Sequence, residues 1–183
     1  MTQKHPKHRR GFTLVEAVAT IVILGSVMAV CARVISAATS AYTSASTRAE
    51  LHSELTVAME RMMFELRSCR ISQGGTFAPD VSSVGANSIV WNTPSGSRGL
   101  SVSGGSLLLT IDGTAATLMT GVTSFAVQTY DQSNIALGST LNGTECVPVQ
   151  RVEITLTGTR QGIVETLRSR IFLRCTAQGF STS

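Results

Sequence analysis

Three observations place this chain in the α+β class, as one long N-terminal helix packed on an antiparallel β-sheet domain. An apolar run from Phe12 to about Cys31 passes into the stretch Ser36–Thr47, where no Pro or Gly breaks a helix. Apolar residues then recur at three- and four-residue spacing as far as Cys69, which marks one buried stripe of a helix. Beyond Ser88 the periodicity drops to two and turn signals punctuate it, which marks strands. A helix with one apolar stripe and a sheet with one apolar face bury each other, so the two halves imply α+β packing.

Residues 1–11 form a basic leader containing Lys4, Lys7, Arg9 and Arg10. Phe12–Cys31 spans 20 residues, or ~30 Å as a helix, the thickness of a bilayer core. The transmembrane portion is assigned to residues 12–35, with Arg33 at its outer edge, where a long stem reaches the headgroups. Residues 36–73 continue the helix outside. Leu51, Leu55, Ala58, Met62, Leu66 and Cys69 make its stripe, and Arg61–Glu65 is an i,i+4 pair. Gly74-Gly75 is expected to end a helix of about 60 residues, roughly 90 Å long. Residues 74–183 form the β-rich domain, large enough for one small core.

Within it, Ser88–Asn92 reads as a strand around Trp91. Ser106–Asp112 sets Leu107, Leu109 and Ile111 on one face, and Val122–Tyr130 brings Phe125 and Val127 together. Arg151–Thr157 points Val152, Ile154 and Leu156 inward and leaves Arg151, Glu153 and Thr155 outside. Ile163–Arg174 points Ile163, Leu167, Ile171 and Leu173 inward, opposite Arg168, Arg170 and Arg174. Turns at Gly104-Gly105, Asp112-Gly113 and Asn142-Gly143 separate the runs.

The net charge of +4 belongs to the leader: without residues 1–11, 11 arginines face 11 Asp and Glu. The sequence pI of about 9.2 is therefore no argument for a nucleic-acid partner. Arg168, Arg170 and Arg174 read as a mixed-charge strand face near Glu153 and Glu165, without the interleaved aromatics that stack bases. Enzyme signatures are missing too. His5 and His8 lie in the leader, His52 stands alone mid-helix, and no nucleophile elbow, H-E-x-x-H or phosphate loop occurs. Asp112, Asp131 and Glu145 are scattered, with no dense acidic run for calcium. The reading is non-enzymatic, with no cofactor, no metal and no small-molecule substrate.

Gly11-Phe12-Thr13-Leu14-Val15-Glu16 carries the functional signal. A charge at membrane depth costs on the order of 2.5–3.5 kcal/mol or more, so an intramembrane acid points to function. A secretory signal peptide, with Leu14–Val30 as its apolar region and Ala37, Ala38 and Ala41 near a cleavage site, gains nothing from Glu16. Its helical pattern would also break at that site, whereas this one runs on.

The order of basic leader, Gly, Phe and then Glu inside an apolar helix resembles the prepilin N-terminus of type IV pilins and type II secretion pseudopilins. The resemblance implies cleavage between Gly11 and Phe12 by a prepilin peptidase, N-methylation of Phe12, and assembly through Glu16. The Glu16 carboxylate would pair with the Phe12 ammonium of a neighbouring subunit, relieving two buried charges at once. Gly121–Phe125 through Tyr130-Asp131, then Arg151–Thr157, look like the minor pseudopilin J group and the related minor pilin W group. Arg33 stands where many major pilins carry a helix proline, which favours a minor subunit.

The expected function is a minor pseudopilin in the pseudopilus of a type II secretion system. Alternatives are a minor pilin of a type IV pilus or DNA-uptake (competence) system, or a membrane-anchored binding or adhesion domain. The expected place is the inner membrane, single-pass, with a cytoplasmic N-terminus and the C-terminal domain periplasmic or extracellular. Partners would be other pseudopilins or pilins, the peptidase and the membrane.

Cys31 falls in the membrane segment, leaving Cys69, Cys146 and Cys175 on the oxidising side. A tight turn near Arg160 suggests a register in which paired residue numbers sum to 321, with Leu156 opposite Glu165, Ile154 opposite Leu167 and Val152 opposite Ser169. Extended, it sets Cys146 opposite Cys175 and predicts a disulfide there. Pro148 interrupts that strand, and Cys69 is a rival partner.

Overall fold

The computed structural model describes residues 13–72 and 78–173. Helix α1 runs unbroken over Leu14–Arg67, 54 residues, about 80 Å. The chain divides into two compact units, residues 1–45 and 46–183, so α1 belongs partly to each. From Leu14 on, the first unit is helix, and its large apolar side chains from Leu14 to Ile35 are exposed.

The second unit holds the core. The expected stripe is buried at every position from Leu51 to Cys69, and Met59 joins it. Helix α1 ends at Arg67, before Gly74-Gly75, which lie outside the described residues. Tertiary partners stop it sooner than the glycines would. The Glu65 carbonyl accepts from the Ser68 N–H at 3.0 Å and from the buried Trp91 Nε1–H at 3.2 Å, and the Arg70 N–H turns to the Asn92 carbonyl. The orphan carbonyls of Glu65 and Leu66 are thus satisfied by tightened i→i+3 bonds from Ser68 and Cys69, and Glu65 also from a strand.

The described residues after α1 form nine strands: β1 Val81–Gly85, β2 Ser88–Thr93, β3 Gly96–Ser103, β4 Ser106–Ile111, β5 Thr114–Thr120, β6 Val122–Tyr130, β7 Leu141–Asn142, β8 Arg151–Arg160 and β9 Ile163–Phe172. All pair antiparallel, but in two sheets where one was expected: β5-β4-β3-β2-β1-β7 and β6-β8-β9. The change of sheet occurs at Gly121. Its φ of +74° suits glycine, and an added Cβ would lie 2.9 Å from the Thr159 carbonyl oxygen. The Thr159 N–H donates to the Gly121 carbonyl at 2.8 Å, while the Val122 N–H donates to the Gly105 carbonyl. The inner faces of both sheets and the outer half of α1 share one apolar cluster centred on Trp91, Leu55, Ile154 and Leu156.

The β8–β9 register differs from the expectation. Leu156 faces Leu167, Ile154 faces Ser169 and Val152 faces Ile171, so paired numbers sum to 323. Gln161-Gly162, at φ +50° and +78°, closes a two-residue turn between the paired ends Arg160 and Ile163. The apolar faces still match, because a two-residue slip preserves which side each residue shows.

Candidate functional site

Thr13 and Glu16 build the first turn of α1. The Glu16 N–H donates to Thr13 Oγ1 at 3.3 Å, and the Ala17 N–H donates to the Thr13 carbonyl at 3.1 Å. Thr13 therefore caps the helix, and Thr13-Leu14-Val15-Glu16 has the T-x-x-E spacing of a capping box. The sequence carries this signal in its own spacing, Thr13 three residues before Glu16. Glu16 sits in the first turn, where the positive end of the helix dipole favours a carboxylate. It is exposed and forms no ion pair among the described residues. Gly11 and Phe12 lie outside the described residues, so the Glu16–Phe12 geometry has no structural counterpart here.

From Thr13 onward the helix is long and apolar enough to cross a membrane, and its most apolar stretch is wholly uncovered. Thr20 and Ser26 return their hydroxyls to the carbonyls of Glu16 and Ile23, so these polar groups are satisfied inside the helix. Apart from Glu16, nothing ionisable interrupts the segment before Arg33, apart from the thiol of Cys31.

In the second unit the acids fill local roles. Asp112 accepts from the Ser97 N–H, Asp131 from the Ile135 N–H and Glu145 from the Asn142 N–H. No group of three or more His, Cys, Asp or Glu among the described residues could hold a metal ion. His52 is an exposed helix residue.

Glu153 departs from its expected outward, solvated place: it is only 7% exposed. Arg168 and Arg170 close over it, with Arg170 Nη2 at 2.6 Å, and the Arg170 guanidinium stacks 4.1 Å above the Tyr130 ring. Burial alone would push the Glu153 carboxyl up. Hydrogen bonds from Arg170 and Arg168 outweigh burial and hold it below the usual carboxylate range. Both guanidiniums are thus engaged by a protein carboxylate. Arg174 lies outside the described residues.

Cys146 ends the 3₁₀ turn Gly143–Cys146 and is not on β8. Continuing β8 backwards therefore does not reach it, and the register argument for Cys146–Cys175 fails on both counts. Cys146 is a buried thiol whose pKa is raised by burial first and by the neighbouring Glu145 carboxylate second. Cys175 lies outside the described residues.

No curated protein matches the chain. One family model does, described as the prokaryotic N-terminal methylation motif, and it covers residues 6–32. These residues include the end of the basic leader, Gly11, Phe12, the Thr13 cap, Glu16 and the exposed apolar helix. At its N-terminus the chain carries a prepilin-type methylation motif leading into a helix fit for a single membrane span.

Proposed function

We propose that this chain is a minor pseudopilin, a structural subunit of a type II secretion pseudopilus that takes part in protein secretion. The observation that carries the proposal is the methylation motif over residues 6–32, joined to an apolar helix that nothing covers in the single chain. Such a surface is stable in lipid or against copies of similar helices, and a subunit that moves from one to the other needs both. A prepilin peptidase cuts between Gly11 and Phe12 on the cytoplasmic side of the inner membrane, and Phe12 is then N-methylated. Glu16 pairs with the new ammonium of a neighbouring subunit. The leader stays cytoplasmic and the domain after α1 lies outside. The chain acts by assembly and not by catalysis. The absence of a proline at Arg33 and the β6 and β8 sequences favour a minor subunit near the filament tip.

Intact-mass measurement of the protein from its native host tests the maturation step. The expected species begins at Phe12 and carries one added methyl group; a chain beginning near Thr39–Thr43 overturns it. Isolation of the assembly tests the machine. Co-purification with a secretin and secretion pseudopilins supports this reading, whereas twitching or competence subunits replace it with a minor pilin. A matured chain found alone in the membrane would be an anchored adhesion domain.

A further inference from the structure

We infer that strand β5 and the groove beside it receive an extended segment of a neighbouring, non-identical subunit, which adds to the six-stranded sheet. The inference rests on the filament reading above. The described residues have four outer strands, and three are guarded. β7 is only two residues long, and β9 carries Glu165, Arg168 and Arg170. Edge strand β6 has its N–H groups at Val122 and Val127 taken by Gly105 and Ala86. Strand β5, Thr-Ala-Ala-Thr-Leu-Met-Thr, has no charge and no proline, and nothing among the described residues bonds to its outer backbone. Natural proteins rarely leave such an edge open, because it templates another strand.

The hairpin geometry says which groups are free. Asp112-Gly113 is a two-residue turn, at φ +48° and +83°, so the flanking pair Ile111 and Thr114 exchanges both hydrogen bonds. Ala115 and Thr117 then turn their N–H and C=O outward. The flat row ends at the irregularity beside Leu118. Leu118 and Met119 meet Val57 of α1 in a groove of about 390 Å³, also lined by Ser53 and Glu54. Val57 is 63% exposed. Ala116 is paired with the buried Leu109 and yet is exposed, so the inner face of the sheet outruns its helix cover at this edge.

A backbone row beside an apolar groove is recognised by an extended polypeptide: main-chain bonds supply affinity and alternate side chains fill the groove. A neutral segment with an apolar residue over Val57 fits, since Glu54 is already held by Arg160 at 2.9 Å. A second copy does not fit. Paired parallel, two identical β5 edges would put their helices on opposite faces of the joined sheet, and paired antiparallel they meet only about a two-fold axis perpendicular to it. That axis would run the two Leu51–Leu66 helix segments in opposite directions, whereas subunits of one filament share a direction.

The experiment uses the full chain in its native host. Ala115→Pro and Thr117→Pro each remove an outward N–H without touching a β4–β5 bond, whereas Thr117→Val keeps it. Incorporation into the assembly should fall about tenfold for the proline variants and stay normal for Thr117→Val, since main-chain bonds dominate strand addition. p-Benzoylphenylalanine at position 116 should cross-link one different subunit, at a peptide with alternating apolar and polar residues. Wild-type incorporation of both proline variants overturns the inference. So does a cross-link to another copy or to a helical segment, or no cross-link at all. The last arm decides the matter if the proline variants fail to fold. Maturation at Phe12 with normal co-purification in any failing case leaves the filament reading standing and removes only this one.

Discussion

At the scale of single residues, Glu16 has two physical roles that pull on the same carboxylate. In the isolated chain it sits in a first turn capped by Thr13, where the helix end favours a negative charge by roughly 0.3–1 kcal/mol. In a filament its partner would be an ammonium, and a charge buried there without that partner is strongly destabilising. Glu16→Gln keeps the side-chain shape and should leave the protein inserted but poorly incorporated into filaments. Thr13→Ala should cost only the cap, about 1 kcal/mol, and leave incorporation near normal. Membrane fractionation against filament co-isolation separates the two, and normal incorporation of Glu16→Gln would dismiss the pairing. The cysteines pose the other question at this scale. The Cys146–Cys175 bridge stays a proposal: the Leu173 N–H bonds to the Gln150 carbonyl at 2.9 Å, and each cysteine is only a few residues along the sequence from that bond. Non-reducing peptide mapping should give that crosslink, and a Cys69-containing one would refute it.

At the scale of elements, hydrophobic periodicity was the legible part. The stripe from Leu51 to Cys69 and the inward faces of β4, β6 and β8 follow from spacing alone, because each is a repeated pattern read against one core. Strands β1, β3 and β5 were not legible. Their Ser, Gly, Thr and Ala content resembles loop, and they are strands because β2 and β4 offer them ladders. The helix end and the burial of Glu153 were equally hidden, since both depend on partners distant in sequence: Trp91 and Asn92 for one, Arg168 and Arg170 for the other. The Glu153 pair carries a pH signature. Its folded-state pKa is lowered, so its stabilisation is present above the ordinary glutamate value of about 4.3 and is lost as pH falls through the lowered value. Glu153→Gln should flatten that part of the acid-unfolding curve, and an unchanged acid limb would refute the assignment. The helix face makes a larger prediction. Leu55→Ala opens a cavity where Leu55 is fully buried and should cost about 2–5 kcal/mol in denaturant unfolding of the detergent-solubilised chain. His52→Ala, on the exposed face, should cost almost nothing.

At the scale of the whole molecule, charge is distributed so that the ends of the apolar helix differ sharply. Before it stand Lys4, Lys7, Arg9 and Arg10; after it, Arg33 is the first basic group, and the chain without residues 1–11 is balanced, with 11 arginines for 11 acids. Orientation of a single span follows Lys and Arg close to its ends, with acids contributing little. On the proposed reading, the four leader residues outweigh Arg33 and would hold the leader in the cytoplasm and send the β domain across. Replacing all four leader residues with Gln reverses that inequality, leaving Arg33 as the stronger retention signal. A phosphatase fused after the last residue is active only outside the cytoplasm. It should be active on the parent chain and lose most of that activity on the variant, with protease protection of the β domain rising in step. Adding Arg33→Gln to the variant should restore part of the activity, because neither end then dominates. Unchanged reporter activity in the four-residue variant would show that the folded outer unit, not the leader, decides the topology.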